Sequence, residues 1–201
     1  MSPRIYTIGC MIVLLAGILV LPLGYGPLTR VFVSPPRCEV AGSSADIFRF
    51  WKSIGVKGRV AVVFTRRLNG EVAGKEAESP AKYVEDALQQ GMVRTVYHVV
   101  PDAAWSEVSE KLSRMPGVRP IESGFAILFG AGRVHVFPLS QFMPIQEKAL
   151  VVVAPAEWTT DEYGVIVNLI KQQRVSADLL AVLRGSDAEV AGLSEALAVS
   201  R

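Results

Sequence analysis

The chain has 201 residues, half of them apolar and one fifth charged, with a net charge of +2. This balance excludes an intrinsically disordered chain and lacks the strongly basic footprint of a nucleic-acid-binding protein.

The first element in chain order is an uncharged run, Ile5–Leu23, preceded only by Arg4 and the amino terminus. Nineteen such residues match the roughly 20 helical residues that cross a hydrocarbon core about 30 Å thick. The run is longer than the apolar part of a cleavable signal, and Leu21-Pro22-Leu23-Gly24-Tyr25-Gly26-Pro27 offers no small-residue cleavage pattern. Cys10 lies inside the run, whereas a lipid-attachment cysteine would follow it. Residues 1–24 are therefore expected to form an uncleaved signal anchor with Ile5–Leu23 in the membrane. Tyr6 and Tyr25 fall near its two interfaces. The short head favours a cytoplasmic N-terminus and a periplasmic or extracellular domain, although Arg4 against Arg30 and Arg37 leaves the positive-inside rule almost balanced.

Residues 25–43 read as a Pro/Gly-rich linker, with Pro27, Pro35, Pro36 and Gly42, of the extended type that holds a domain off the bilayer. Cys38 in this stretch is a lone exported cysteine, which suggests an intermolecular disulfide to a second copy or an inert thiol. Residues 44–201 are long enough to form one α/β domain with its own core.

A helix capped by Ser43 or Ser44 opens that domain, with Ile47, Phe48, Trp51 and Ile54 on one stripe and Gly55 at its end. Arg59–Thr65 is a β-branched run of the kind buried on both faces in a parallel sheet. The polar stretch from Arg66 to Ser79 follows, in which Asn69-Gly70 has the chemistry of a hairpin turn. Ser79-Pro80 starts a helix carrying Tyr83, Val84, Ala87 and Leu88, which ends at Gly91. Met92–Val100 is a strand, and Asp102 is expected to cap a helix with Trp105, Val108 and Leu112 on one face. In "GFAILFGAGRVHVFPL", Phe125, Ile127 and Phe129 alternate with smaller residues, and Val134 and Val136 flank His135 across a glycine turn, which predicts a β-hairpin. Ala149–Ala154 is a strand, Thr159 and Glu162 form a capping box, Ala177–Leu183 is a strand, and Ser186 and Glu189 form a second box.

The β-α-β-α order thus occurs twice. The expected architecture is α/β: one N-terminal transmembrane helix, then a three-layer sandwich of two β-α-β-α halves with a β-hairpin between them or at one edge.

The single span, the linker, the strand, the Asn69-Gly70 turn and "VPDAAWSEVSEKLSRMPGVRPI" together resemble the periplasmic part of TolR/ExbD-type energy-transducing proteins over Arg59–Leu128. The resemblance implies a tethered periplasmic module. Those proteins carry an acidic residue in the span for proton coupling, and Ile5–Leu23 has none; the C-terminal β-α-β-α is also additional. The family is therefore not assigned.

The sequence contains no Gly-x-Gly-x-x-Gly after the first strand, no Walker loop, no Gly-x-Ser-x-Gly, no Cys-x-x-Cys and no His-Glu-x-x-His, so neither a cofactor nor a metal is expected. His98 reads as a satisfied core histidine and His135 as a solvated residue on the hairpin's polar face. In open α/β sheets ligands sit beyond the carboxyl ends of the strands. Those ends supply Arg66, Arg67, Asp102, Glu157, Ser186 and Asp187 as candidates for a ligand or partner. Caps and a solvated strand end explain the same residues equally well. Two functions remain open: a non-catalytic, membrane-anchored domain that binds a protein partner or serves an envelope assembly, and an anchored enzyme or small-ligand-binding domain that uses the strand-end loops.

Overall fold

A computed structural model describes residues 37–66 and 82–199. Ile5–Leu23, Arg67, the Asn69-Gly70 turn and the Ser79-Pro80 cap lie outside the described residues. Within them, no helix is long and apolar enough to cross a membrane.

The fold of the described residues is mixed α/β, an eight-stranded sheet with five helices. In chain order the elements are β1 (Arg37–Ala41), α1 (Ser44–Ser53), β2 (Arg59–Phe64), α2 (Lys82–Gln89), β3 (Val93–Val100), α3 (Asp102–Ser113), β4 (Val118–Ile121), β5 (Gly124–Phe129), β6 (Gly132–Pro138), β7 (Ile145–Val153), α4 (Thr160–Lys171), β8 (Val175–Leu183) and α5 (Asp187–Val199). Across the sheet the strands run β1-β8-β7-β2-β3-β6-β5-β4. The first six are mutually parallel, and β6, β5 and β4 form an antiparallel meander at one edge. The expected hairpin is therefore β5–β6 at that edge, turned by Gly130-Ala131 with Gly130 at φ +56°.

The two β-α-β-α units, β2-α2-β3-α3 and β7-α4-β8-α5, lie back to back. Their first strands, β2 and β7, are neighbours, and each unit steps outward in the opposite direction. Crossovers of one hand that step in opposite directions put their helices on opposite faces. The packing agrees. Tyr83, Val84, Ala87 and Leu88 of α2 join Trp51, Val108 and Leu112 against Ala61, Val63, Leu150 and Val152 on the first face. Ile166 and Ile170 of α4 join Leu193, Ala196 and Leu197 of α5 against Val60, Val62, Phe64, Val151 and Val153 on the second. Because β2 and β7 are buried on both faces, Val60–Phe64 and Ala149–Val153 read as unbroken apolar runs.

Local chemistry sets the helix ends. Ser43, Thr159 and Ser186 each accept from the main-chain N–H three residues on, and Asp46, Glu162 and Glu189 each accept from the capping residue's own N–H. In α1 the buried stripe is Ile47 and Trp51. Ile54 is the C-cap and is exposed, and Gly55 takes the left-handed conformation just past it, φ +69°.

Two expectations are corrected. The linker assigned to residues 25–43 contains β1: Arg37–Ala41 pairs in parallel with Leu179–Leu183 and forms the sheet's other edge. Asp102 does not cap α3. Pro101 holds the N-cap position without a side-chain bond, and Asp102 Oδ1 instead accepts from the N–H of Ser140 at 3.0 Å and from its hydroxyl at 2.8 Å. The carboxylate thus ties the start of α3 to the turn after β6.

Candidate functional site

The carboxyl ends of the six parallel strands form one rim, and the chain changes direction between β2 and β7. Such a switch point is where open α/β sheets offer a crevice. Here it is filled. The Ala154 N–H donates to the Phe64 carbonyl at 3.1 Å, the Trp158 indole N–H donates to the same carbonyl at 3.2 Å, and the Phe64 ring meets Trp158 and Phe142 edge-on. The Arg66 N–H donates to Glu157 Oε2 at 2.6 Å.

Of the candidates read from the sequence, the structure joins Arg66 to Glu157 and leaves the others apart. The Arg66 guanidinium is exposed, and its charge also reaches Glu107, whose carboxyl is held below the usual range first by the Lys111 ammonium and then by Arg66. The Glu157 charge in turn acts on the buried Tyr83 phenol. Burial, reinforced by the Glu157 charge, pushes that hydroxyl's pKa upward. Asp102 is held by Ser140, Ser186 is held in its box with Glu189, and Asp187 is exposed in the first turn of α5. Among the described residues, no hydrogen bond or ion pair links Arg66, Asp102 and Asp187 to one another. Each is accounted for by local structure.

His98, on the first face of β3, is buried, and its Nε2 lies 3.0 Å from Thr65 Oγ1 and 3.1 Å from the Thr65 carbonyl. Burial lowers its pKa to about 4, so it is neutral at pH 7. Beside it is a cavity of about 10 Å³, lined also by Val84, Glu85, Leu88, Ile127, Phe129 and Val134. That is the space of one water and no more. The expected core histidine is thus a satisfied one, bonded to the last residues of β2.

A different surface stands out, one that the strand-end argument missed. The first face of the sheet carries α1, α2 and α3, whereas the second carries α4 and α5 over β2, β7 and β8. On that second face, among the described residues, β3, β6, β5 and β4 have no helix above them, and the turn Leu139–Phe142 folds over one end, where Phe142 meets Phe64 and Phe137. The strand registers place Tyr97, His135, Ala126 and Arg119 in one row across the four strands. Thr95, Arg133 and Leu128 form the row on one side, and Val99, Phe137, Gly124 and Ile121 lie on the other.

The rings of Tyr97, His135 and Phe137 lie nearly parallel, tilted by 10–20° with centroids 5.4–6.4 Å apart. Such pairs contribute about 0.5–1.5 kcal/mol beyond their buried area. His135 is therefore not the solvated hairpin residue expected. It is half-buried in this stack, and burial together with the neighbouring Arg133 charge lowers its pKa. Gly124 makes room for the stack: a Cβ there would lie 2.0 Å from the Val136 carbonyl and 3.1 Å from the Phe137 ring. Leu128 remains 63% exposed and Ile121 37%, and Met143, next to Phe142, is 67% exposed. The result is a partly aromatic platform that also carries Arg119 and Arg133.

His98 and His135 lie on opposite faces of the sheet and cannot share a ligand. Among the described residues, no three His, Cys, Asp or Glu side chains are grouped to hold a metal. Cys38 lies on edge strand β1, half-buried against the second-face core. No family model, curated protein or solved structure matches the chain.

Proposed function

We propose that this protein is a membrane-anchored, non-catalytic binding module: residues 5–23 tether it, the N-terminus is cytoplasmic, and the α/β domain works on the periplasmic or extracellular side within an envelope assembly. The observation that carries the reading is the uncovered platform on β3, β6, β5 and β4. An α/β sheet normally buries both faces under helices. Among the described residues one face carries three helices and the other two, and Leu128 and Ile121 on the second stay exposed. A contiguous exposed apolar patch edged by polar groups is a mark of an interaction surface. The rim, by contrast, offers filled packing and self-satisfied carboxylates.

The test is purification of the full chain from detergent-solubilised membranes, with bound proteins and small molecules both identified, for the native chain and for Leu128→Glu. The expected result is a co-purifying protein that the substitution removes while the fold is retained. A bound small molecule, unaffected by Leu128→Glu and lost with Arg66→Ala and Arg67→Ala together, would move the function to the strand ends and favour the ligand-binding reading.

A further inference from the structure

Resting on that reading, we infer that the rim formed by the amino ends of the parallel strands binds the headgroups of an anionic bilayer. Three observations carry this: where the charges sit, which of them are unpaired, and where the chain enters the domain.

Charge is segregated along the strand direction. All five helices start at the carboxyl ends of strands and run back to the amino ends. Their first turns hold acids such as Asp46, Asp102, Asp161 and Asp187, which complement the helix dipole. The amino-end rim holds cations instead: Lys52, Lys57, Arg133, Lys148, Lys171 and Arg174, all exposed. Lys52 and Lys171 lie in the last turns of α1 and α4 and answer the same dipole. The other four have no such explanation. Lys57 and Arg174 come just before β2 and β8, Lys148 just before β7 joins β2, and Arg133 is the second residue of β6.

None of these six cations has an ion-pair partner among the described residues. Acids of the same rim are already taken: Asp178 by Arg59, Glu147 by Arg94 and Glu110 by Arg114. Asp86 and Glu195, about a turn back from the ends of α2 and α5, leave the excess positive. The rest of the chain does not answer it. The first 38 residues contain no Asp or Glu. Residues 67–81 include Glu71, Glu76 and Glu78, but this stretch leaves after Arg66 and returns at Lys82, both at the opposite rim.

The occupant follows from where the chain enters. β1 is parallel to β8, so Arg37 begins the domain at this same rim. With residues 5–23 as the span, residues 24–36 are what separates it from β1, and fully extended they reach at most about 45 Å. The tether therefore delivers the basic rim, and not the acidic one, to the lipid. Exposed charges act on such a surface within a Debye length, about 10 Å at 0.1 M salt, and clusters of Lys and Arg beside a span are suited to anionic headgroups. Arginine adds bidentate bonds to phosphate. An acidic protein or an RNA would meet the same cations, but nothing in the chain brings either one there.

The experiment reconstitutes the full chain into vesicles of phosphatidylglycerol mixed with phosphatidylcholine, and into vesicles of phosphatidylcholine alone. A benzophenone side chain is placed at position 172 or at position 161, the two ends of α4, one at each rim. Flotation reports whether the chain is anchored, and irradiated lipid adducts are then measured by mass. In the anionic vesicles the lipid adduct at position 172 should exceed that at 161 at least tenfold. It should fall at least tenfold in phosphatidylcholine, at raised salt, and with Lys148→Glu and Arg174→Glu together. Equal yields at the two positions, or a yield indifferent to lipid charge, salt and charge reversal, overturn the lipid-binding rim while leaving the anchor in place. So does a protein or RNA adduct replacing lipid at position 172 when the irradiation is repeated in native membranes. A chain that floats with neither kind of vesicle overturns the anchored reading and the lipid-binding rim together, so the two failures are distinguishable.

Discussion

The Arg66 N–H and Glu157 Oε2, 2.6 Å apart, close the sheet at the one place where its two halves diverge. Arg66 follows β2 and Glu157 ends the short turn after β7, so this bond joins the two β-α-β-α units at the switch point, beside those that the Ala154 N–H and the Trp158 indole donate to the Phe64 carbonyl. A hydrogen bond to a charged group contributes about 1.5–3 kcal/mol when buried, and less in this half-exposed setting. Glu157→Ala is expected to lower stability by about 1 kcal/mol, and Glu157→Gln, which keeps an acceptor, by less. Denaturant unfolding of the two variants beside the native chain reads this out. Equal midpoints for all three would mean that the bond contributes nothing to holding the halves together.

His98 makes stability depend on pH in a definite direction. Its pKa falls from the ordinary 6.5 to about 4 because burial disfavours the imidazolium. Between those values the unfolded chain binds more protons than the folded one, so stability rises with pH there and is lost as pH falls. Nothing is lost above pH 6.5, and the loss reaches about 3 kcal/mol once the folded histidine also protonates, below pH 4. Unfolding midpoints from pH 8 to pH 4 should therefore drop mainly below pH 6.5. His98→Gln should be less stable at pH 7 but flatter through that window. A variant that follows the native slope would assign the pH dependence to other groups.

Much of this architecture was legible because its signals are local. Thr159 with Glu162 and Ser186 with Glu189 announce helix starts by spacing alone, and Val60–Phe64 shows two-sided burial by lacking any polar alternation. The misses are the pairings that only distant segments create. β1 has five residues, follows two prolines, and gains its identity from β8, some 140 positions later. Val40, 54% exposed, does not mark it as a strand. Asp102 has the chemistry of a cap but finds Ser140, brought near by the pairing of β6 with β3. That same pairing sets His135 beside Tyr97 and turns an expected solvated position into a ring stack. The aromatic face of β3, β6, β5 and β4 was invisible in the sequence for a related reason: a strand's alternation shows which side chains share a face, but not what packs on it.

The role of Ser186 can be separated from that of Asp187 by mutation. Its hydroxyl donates to Glu189 Oε2 at 2.7 Å and accepts from the Glu189 N–H at 3.4 Å. Ser186→Ala is expected to cost about 1 kcal/mol, the usual loss for an N-cap, with Thr159→Ala costing a similar amount at α4. Asp187→Ala should cost only a few tenths, the value of one exposed acid near a helix N-terminus. Thermal unfolding of the three variants measures this. A larger loss for Asp187→Ala than for Ser186→Ala would contradict the assignment of Ser186 as the structural cap.

Gly124 is expected to be the least replaceable small residue of the platform, although it lies at the sheet's margin. Its hypothetical Cβ meets a main-chain oxygen, that of Val136, at 2.0 Å, and the Phe137 ring at 3.1 Å. A flexible side chain could swing away, but a carbonyl fixed in the β5–β6 pairing cannot. Gly124→Ala must therefore push β5 from β6 or displace Phe137, and either movement disturbs the rings of His135 and Tyr97 stacked beside it. Forced overpacking of this kind costs about 1–3 kcal/mol. Leu128→Glu, on the same face four residues along, should leave stability within about 0.5 kcal/mol because its side chain already stands in water. Comparing the two by denaturant unfolding, with near-ultraviolet circular dichroism to follow the tyrosine environment, tests the platform as a built surface. The expected pattern is an altered aromatic signal and a lowered midpoint for Gly124→Ala, and neither for Leu128→Glu. If Gly124→Ala behaves as the native chain does, then β5 does not approach β6 as described, and the ring stack does not depend on a missing side chain.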